Sequence, residues 1–401
     1  MSFLKNRDSV RNHSVSLREL AAFFLRLGAT AFGGPAAHVA MMEQELVGRR
    51  GWLSREKFLD LLGASNLIPG PSTSELAIHI GYLCNGWAGL LIAGVCFILP
   101  AALMVAGLAW AYVHFGRLPA ISWVLYGVKP VVIAVVVQAL WNLGRTAIKT
   151  PLLFAVALGA VAMAFYGVHP LLLLGVAGVM TVILKEGIRG RESVPSSCMA
   201  PFAYSPQTVA RVITAGSATV PAPFTLGPLF LVFLKAGAVV FGGGYVLLAF
   251  LRADLVVHRA WLTDSQLVDA IAIGQVTPGP VFTTATFIGY ILGGFRGAVA
   301  ATIGIFLPAF LLVAASGPLV PRIRKSKIAS TFLDGVNAAS LALMAAVTWQ
   351  LGRASITDIP TAILAAGSLI VLLRFRINSL WLLVAGAALG VMSHGLLHGI
   401  R

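Results

Sequence analysis

The sequence predicts an all-α polytopic membrane protein with two homologous, inverted halves, each containing broken or re-entrant helices. Three observations support this prediction. Of the 401 residues, 58% are hydrophobic and only 11% are charged, which is less than half the charged share of a soluble domain. Apolar runs long enough for membrane helices follow one another along nearly the whole chain, and the first half of the sequence recurs in the second. This composition excludes a soluble enzyme, a disordered chain and a secreted disulfide scaffold.

The hydrophobic segments fall into two groups of about six, since a membrane helix needs about 20 apolar residues. One charge-free stretch, 151–184, is too long for a single span, and a turn at Gly167–Pro170 divides it into two helices. We therefore divide the chain into a cytoplasmic N-terminal tail (1–16), a first half (17–186), a linker rich in Ser and Pro (187–225) and a second half (226–401).

Basic residues outnumber acidic ones, with 29 Lys and Arg against 14 Asp and Glu and a net charge of +15. They lie in short gaps between apolar runs, so they indicate membrane topology and not nucleic-acid binding. The three cysteines form no Cys-x-x-Cys pair, and no metal-ligand spacing occurs. The sequence has no Walker phosphate loop, nucleophile elbow or HExxH motif, so it predicts neither ATP-driven pumping nor an enzyme, and no cofactor.

The internal repeat has an offset of 209 residues, which becomes 208 after a one-residue gap. It places Phe32-Gly33-Gly34 on Phe241-Gly242-Gly243 and Pro69-Gly70-Pro71 on Pro278-Gly279-Pro280. Loops rich in Lys and Arg in one half match poor loops in the other, so the positive-inside rule indicates inverted halves. An even number of crossings in each half cannot give inversion. We therefore expect a re-entrant hairpin among the segments of each half, or an extra crossing elsewhere.

Two kinds of helix break recur in both halves and define the predicted substrate site. Paired glycines weaken a helix and free backbone amides, and proline-glycine-proline cannot continue a membrane helix. The half-helix that follows has an N-terminus with unpaired N–H groups and roughly half a positive charge. Two such ends with adjacent hydroxyls would bind an oxyanion near the midplane, the alternative being a simple kink repaired by neighbouring helices. The predicted substrate-binding residues are Gly33, Gly34, Pro69, Gly70, Pro71, Ser72, Thr73, Ser74, Gly242, Gly243, Gln275, Pro278, Gly279, Pro280, Thr283 and Thr284.

Charged residues near the breaks are candidates for further roles. Arg26 and Lys235 each precede a Phe-Gly-Gly motif by six residues, and they would compensate the charge of a dianion or else reach the membrane surface. Glu75 lies within one turn of the half-helix start and would couple transport to protons or else stabilise the helix dipole. Lys129 has a weaker case, because Asn337 stands at its repeat position.

Four segments containing these breaks resemble a known family: FGGPAAHVAMMEQE, SNLIPGPSTSELAIHIGY, FGGGYVLLAFL and GQVTPGPVFTTATFIGY. Over residues 17–397 the chain resembles the chromate ion transporter family in its long, two-domain form. The resemblance implies a secondary transporter that exports chromate, a tetrahedral dianion similar to sulfate, across the bacterial inner membrane. It implies energy from the proton gradient or the membrane potential, with chromate resistance as the phenotype.

Two alternatives to this function stay open: a carrier for uptake or exchange of sulfate or another oxyanion, and a non-transporting membrane subunit. The expected partners are chromate or sulfate, protons and the lipid bilayer, and a homodimer is compatible with the sequence. Val281-Phe282 replaces Ser72-Thr73 at the equivalent positions, which indicates that the two halves are not equivalent at the site.

Overall fold

The computed structural model describes residues 15–32, 34–116, 118–189, 224–241, 246–375 and 379–398. The regular structure of these residues is helical throughout. Four of the helices are long and apolar enough to cross a membrane, at Ser72–Phe115, Ile121–Ala147, Val281–Ser316 and Lys327–Ser355. The predicted all-α membrane fold is therefore confirmed.

The helices of the first half begin at recognisable sequence signals. α1 starts at a capping box, in which Ser16 and Glu19 bond each other's backbone N–H groups. Pro151 stands at the start of α6, where its missing N–H would have no acceptor within the helix. The helices are α1 (Leu17–Thr30), α2 (Gly34–Glu43, continued by the π-helical Gln44–Arg49), α3 (Arg55–Ser65), α4 (Ser72–Phe115), α5 (Pro119–Ala147), α6 (Pro151–Phe165) and α7 (Pro170–Arg189).

The second half repeats this order of helices. Thr263 and Gln266 form a capping box at the start of its third helix. The helices are α8 (Leu226–Val239), α9 (Leu247–Leu251, continued by the π-helical Arg252–His258), α10 (Asp264–Val276), α11 (Thr284–Lys325, preceded by the 3-10 turn Val281–Thr283), α12 (Lys327–Ser355), α13 (Ile359–Phe375) and α14 (Ser379–His398).

α4 and α11 are each bent back into a helical hairpin. The helical dihedral angles of α4 fail at Asn85 and Gly86, where Gly86 has a φ of +62°, and α11 has the same break at Gly293–Gly294. The two arms of α4 then approach so closely that a Cβ on Gly81 would overlap the Gly89 carbonyl. The first arm, from Ser72 to the break, is about 20 Å long at 1.5 Å per residue and is too short to span the bilayer.

The first half has two re-entrant hairpins that open on one face of the membrane. Trp52, which follows α2, packs its ring 5.9 Å from that of Phe23 on α1, so the chain returns to α1 after α2. α3 then leads inwards to Pro-Gly-Pro, and the first arm of α4 returns to the same face. There the Asn85 side chain donates a hydrogen bond to the Val15 carbonyl at 2.9 Å. We call the face marked by Val15, Trp52 and Asn85 the first face.

The second half has the same arrangement at its own face. The ring of Phe224, just before α8, lies 5.4 Å from that of Trp261, and the turn at Gly293 lies against the same phenylalanine. We call this the second face. The sequence indicated one re-entrant segment in each half. The structure has two, because both kinds of break reverse the chain, and four further helical segments follow them in each half.

The two halves are inverted relative to each other. α5 and α12 are equivalent in the repeat, yet they pack antiparallel: Gly144 lies against Leu341, and Gly352 lies against Ile133. Equivalent helices that run in opposite directions show that the second half is inverted. α7 ends at the first face and α8 begins at the second. The connection between them, within the predicted linker, lies outside the described residues, as do residues 1–14 of the predicted tail.

The halves interlock through their crossing helices. α5 packs against α13 and α14, whereas α12 packs against α6 and α7. Glycines permit the closest contacts, since a Cβ on Gly127 would overlap the Gly386 carbonyl and one on Gly390 would overlap the Trp123 carbonyl. The spacing of Gly386 and Gly390 is typical of membrane helices that approach closely. α4 and α11 also pack against each other, which brings the re-entrant hairpins of both halves together.

Candidate functional site

Each Pro-Gly-Pro loop is hydrogen-bonded to the first break of the opposite half. The Gly70 N–H donates to the Val240 carbonyl at 2.8 Å, and the Gly279 N–H donates to the Ala31 carbonyl at 2.9 Å. Gly70 corresponds to Gly279 in the repeat and Ala31 to Val240, so the pseudo-symmetry of the halves relates the two bonds. The buried His38 ring also contacts the Ala31 carbonyl, with Nε2 3.0 Å away. The structure therefore brings the predicted breaks together in the membrane interior.

The loop geometry explains why both Pro-Gly-Pro sequences contain glycine. Gly70 has a φ of +134° and Gly279 a φ of +93°, a region that side chains make unfavourable. A Cβ on Gly70 would also overlap Oε1 of Glu75, and one on Gly279 would overlap the Ala101 side chain. The flanking prolines end the helix, and the glycine lets the backbone turn towards the other half.

A cavity of about 1220 Å³ leads from the first face to the breaks of the first half. It has room for roughly 40 water molecules at about 30 Å³ each. Its outer end lies at the C-terminal ends of α5 and α13, and its inner end is bounded by Phe32, Pro35, Ile68 and Ser72. The polar residues that line it are Glu43, Asn66, Ser72, Thr73, Gln138, Asn142, Arg145, Thr146, Asn337, Ser340 and Ser379.

The N-terminus of α4 points polar groups at the inner end of this cavity. α4 begins at Ser72 directly after Pro71, which makes no side-chain capping bond. The N–H groups of a helix's first turn have no acceptor within the helix, so those of Ser72 and Thr73 are available to a ligand. Both side chains line the cavity, and the neighbouring Ser74 hydroxyl is buried with no hydrogen-bond partner in the described structure.

The corresponding residues of the second half are buried and already hydrogen-bonded. The Thr283 hydroxyl donates to the Pro280 carbonyl at 2.8 Å, and the Thr284 hydroxyl donates to the Val281 carbonyl at 2.7 Å. Neither they nor Gln275 line the cavity. The structure thus places the second Pro-Gly-Pro next to the site but does not bring its hydroxyls into the cavity.

Glu75 is the most unusual polar residue near the breaks. It is fully buried, and neither carboxyl oxygen has a hydrogen-bond partner in the part of the chain that the structure describes. One turn further along α4, His79 is also buried and its Nε2 has no partner there. An isolated buried carboxylate is very costly, so this side chain is accommodated best when it carries a proton.

The remaining predicted residues lie apart from the cavity or outside the described residues. Arg26 is exposed on α1 and does not line the cavity. Lys235 forms an ion pair with Asp254 at 3.0 Å, and its Nζ lies 3.4 Å from Nε2 of His169 near the second face. Gly34 opens α2 with a φ of +74°. The predicted residues Gly33, Gly242 and Gly243 lie outside the described residues.

Sequence reasoning missed the polar side of α5. Gln138, Asn142 and Arg145 all line the cavity, and their spacing of four and three residues places them on one helix face. Polar residues at this spacing in an apolar helix are the signal that could have identified the cavity wall. Within the described residues, no group of three His, Cys, Asp or Glu side chains could hold a metal ion.

A cavity with polar side chains along its wall ends at broken helices of one repeat, and these are hydrogen-bonded to the breaks of the inverted second repeat. This arrangement defines a membrane transporter of the inverted-repeat class. The chain belongs to the chromate transporter family, whose family model matches residues 18–182 and again residues 227–391. The two matches coincide with the two halves, so they confirm both the resemblance seen in the sequence and the homology of the halves. The protein is therefore a multi-pass membrane protein.

Three curated relatives cover most of the chain. A chromate transport protein of Cupriavidus metallidurans is 36% identical over 386 residues, which are 96% of this chain and 94% of that protein. A probable chromate transport protein of Synechococcus elongatus is 33% identical over 374 residues, which are 92% of this chain and 93% of that protein. A chromate transport protein of Pseudomonas aeruginosa is 32% identical over 88% of this chain and 86% of its own. No solved structure matches the chain.

Proposed function

We propose that the protein is a secondary transporter that exports chromate from the cytoplasm across the bacterial inner membrane. The observation that carries the proposal is the cavity, with polar side chains along its wall, that runs from the first face to the N-terminus of α4. The names of the relatives supply the identity of the anion. The chemistry of the described residues supports the proposed direction, binding and driving force.

The distribution of basic residues supports a cytoplasmic first face. Cytoplasmic loops of membrane proteins collect Lys and Arg, and the helix ends at the first face are richer in them than those at the second. Basic residues near the first face include Arg49, Arg50, Arg55, Lys57, Arg145, Lys149, Lys185, Lys327 and Arg374, and those near the second include Arg252, Arg259, Arg296 and Arg353. The cavity therefore opens to the cytoplasm, which is the conformation that loads an anion for export.

The inner end of the cavity suits a tetrahedral oxyanion. The backbone N–H groups of Ser72 and Thr73 and their hydroxyls are hydrogen-bond donors, and the start of α4 adds a positive partial charge. The Asn66 side chain lies at the same end and can donate from its amide. Arg145 lies near the cytoplasmic mouth, where a fixed positive charge raises the local concentration of anions.

Energy for export is available from the membrane potential and from protons. Moving one elementary charge across 100 mV is worth about 2.3 kcal/mol, so a dianion that leaves an inside-negative cell gains about 4.6 kcal/mol. Glu75 is next to Gly70 and is buried without a hydrogen-bond partner in the described structure. It is the proposed carrier of a proton that exchanges with the anion.

The inverted repeat provides the route to the second face. In transporters of this class, the two halves exchange conformations around a central site. The cavity that ends at Ile68 and Ser72, on either side of the first Pro-Gly-Pro, would then close, and an equivalent cavity would open beside the second. The reciprocal bonds of Gly70 and Gly279 lie at the pivot of this exchange.

Transport by inverted membrane vesicles tests the proposal, because their outer surface is the cytoplasmic one. We expect accumulation of labelled chromate when the vesicle interior is made positive or acidic. The replacement of Pro69-Gly70 by Ala-Ala should abolish accumulation while the protein is still inserted. Excess sulfate as competitor determines whether the site separates the two dianions. Vesicles that accumulate neither anion under either gradient would overturn the proposal.

A further inference from the structure

A charge cluster around the buried Asp269 joins the two halves between the breaks and the second face. Lys129 Nζ lies 3.1 Å from Asp269 Oδ1 and donates a hydrogen bond to the Ser265 hydroxyl at 2.7 Å. The Tyr112 hydroxyl donates to Asp269 Oδ2 at 2.9 Å. Lys129 and Tyr112 belong to the first half, whereas Asp269 and Ser265 belong to α10 of the second. The cluster therefore ties the halves together on the side away from the cavity that opens at the first face.

The repeat shows what lies at the equivalent place on the open side. Asn337 is the repeat equivalent of Lys129, and it lines the cytoplasmic cavity. Ser340 also lines the cavity, and its equivalent Val132 is completely buried. Because the halves are inverted, an exchange of their conformations moves the positions of Lys129 and Val132 from a closed interface to the wall of a cavity at the second face.

We propose that Lys129 is an anion ligand in the cavity that opens at the second face. While the protein is open to the cytoplasm instead, Asp269 forms an ion pair with Lys129 in place of the anion. The inference rests on the proposed function, since it requires an oxyanion to pass between the faces. The ligand is a tetrahedral oxyanion of the chromate and sulfate type. Asp269 then acts as the internal substitute for the anion and as the closure of the second face.

The chemistry of the cluster matches this role. Lys129 and Tyr112 offer an ammonium group and a hydroxyl to a carboxylate, and an oxyanion presents acceptor oxygens of the same kind. The Asp269 side chain is only 4% exposed and that of Lys129 is 19% exposed, and removing one partner of such a pair leaves the other charge poorly compensated. An incoming anion that replaces Asp269 keeps Lys129 paired throughout. The second face can therefore open without leaving the Lys129 ammonium group without a counter-ion.

A purely structural ion pair would make the same contacts, so the test must separate the two roles. The double variant Lys129→Gln, Asp269→Asn removes both charges and leaves no buried charge unpaired. In right-side-out and inverted vesicles, the exchange of labelled for unlabelled chromate gives the half-saturating concentration at each face. We expect the half-saturating chromate concentration to rise about tenfold at the second face, which is the effect of one lost charge-assisted hydrogen bond. At the first face it should not change.

The matched control is Lys185→Gln, because Lys185 forms a more exposed ion pair with Asp334 at 3.9 Å. This variant should leave both half-saturating concentrations unchanged. A double variant that behaves like the wild type, or one that changes both faces equally, would overturn the assignment of Lys129 as an exit-side ligand.

Closure by Asp269 is tested separately by thiol labelling. Val132→Cys is introduced after Cys84, Cys96 and Cys198 are replaced by serine, and a membrane-impermeant maleimide is added at the second face. Asp269→Asn should increase the labelling rate several-fold, and an unchanged rate would show that Asp269 does not close this face. If the wild type exchanges neither chromate nor sulfate, the proposed function fails, but the labelling still decides whether Asp269 is a closure.

Discussion

The two Pro-Gly-Pro loops have the same backbone geometry but different chemistry. Gly70 and Gly279 make equivalent bonds to the opposite half, and both have φ values that disfavour other residues. After the first loop, Ser72 lines a cavity and Glu75 is buried without a hydrogen-bond partner in the described structure. After the second, the hydroxyl of Thr283 donates to the Pro280 carbonyl of the loop. Duplication has therefore kept the frame symmetric while the polar chemistry is concentrated in the first half.

The largest expected effect comes from disturbing the backbone geometry that the two Pro-Gly-Pro loops share. We expect Gly70→Ala and Gly279→Ala each to reduce chromate uptake by inverted vesicles below detection, although only Gly70 lies beside the polar half-helix. Alanine costs about 1–2 kcal/mol in a left-handed conformation, and its Cβ would overlap a neighbouring side chain at both positions. Gly107→Ala is the control, since nothing lies within 4 Å of its added Cβ. Near-normal uptake by either loop variant would show that the two loops are not equivalent in function.

The next effect separates the proton chemistry of the two halves. Glu75→Gln should remove the stimulation of uptake by a pH gradient and keep the stimulation by voltage, because the amide cannot exchange a proton. Thr284→Val changes the residue at the same distance from the second Pro-Gly-Pro and should keep both responses. The measurement is initial uptake of labelled chromate with each gradient imposed separately. A Glu75→Gln protein with an unchanged pH response would return this residue to a role in stabilising the α4 dipole.

A smaller effect is expected from the hydroxyls at the start of α4. Ser72→Ala and Thr73→Val should each raise the half-saturating chromate concentration at the cytoplasmic face by about tenfold, the effect of one hydrogen bond to a charged ligand. Thr283→Val should leave it unchanged, because that hydroxyl donates to the Pro280 carbonyl. Equal changes in all three variants would contradict the asymmetry of the halves.

The smallest effect concerns the mouth of the cavity. Arg145→Gln should lower initial uptake by about threefold at low ionic strength and hardly at all at high salt, since exposed charges act through screened attraction. Arg353 is the repeat equivalent of Arg145 but lies near the second face, so Arg353→Gln should leave cytoplasmic loading unchanged. A salt-independent loss in Arg145→Gln would instead indicate direct binding.

The backbone architecture of this protein, with its broken helices and repeated halves, could be predicted from its sequence to a large extent. Prolines and glycines act on the backbone locally, so the recurrence of Pro69-Gly70-Pro71 at Pro278-Gly279-Pro280 predicted broken helices at equivalent places. The homologous halves are confirmed by the two matches of the family model, and the inversion agrees with the antiparallel packing of α5 and α12.

The side chains at the site were harder to predict, because their environment depends on partners far away in the chain. Lys129 had a weak case in the sequence, yet it pairs with Asp269, which is 140 residues further along. Lys235 was a candidate for compensating the charge of the anion, but in the structure it is already paired with Asp254 near the second face. Which half carries the open cavity is a property of the conformation, and no local pattern encodes it.

The reciprocal bonds between the loops have a consequence for how such a chain can be divided. In each half, the loop glycine donates to a carbonyl that only the other half supplies, so the centre belongs to neither copy alone. A polypeptide that held one copy would need a second one inserted upside down beside it before any binding place existed. Fusion into a single chain ensures that each half is made together with an inverted partner. Each half can then diverge in sequence while the contacts between the two halves are kept.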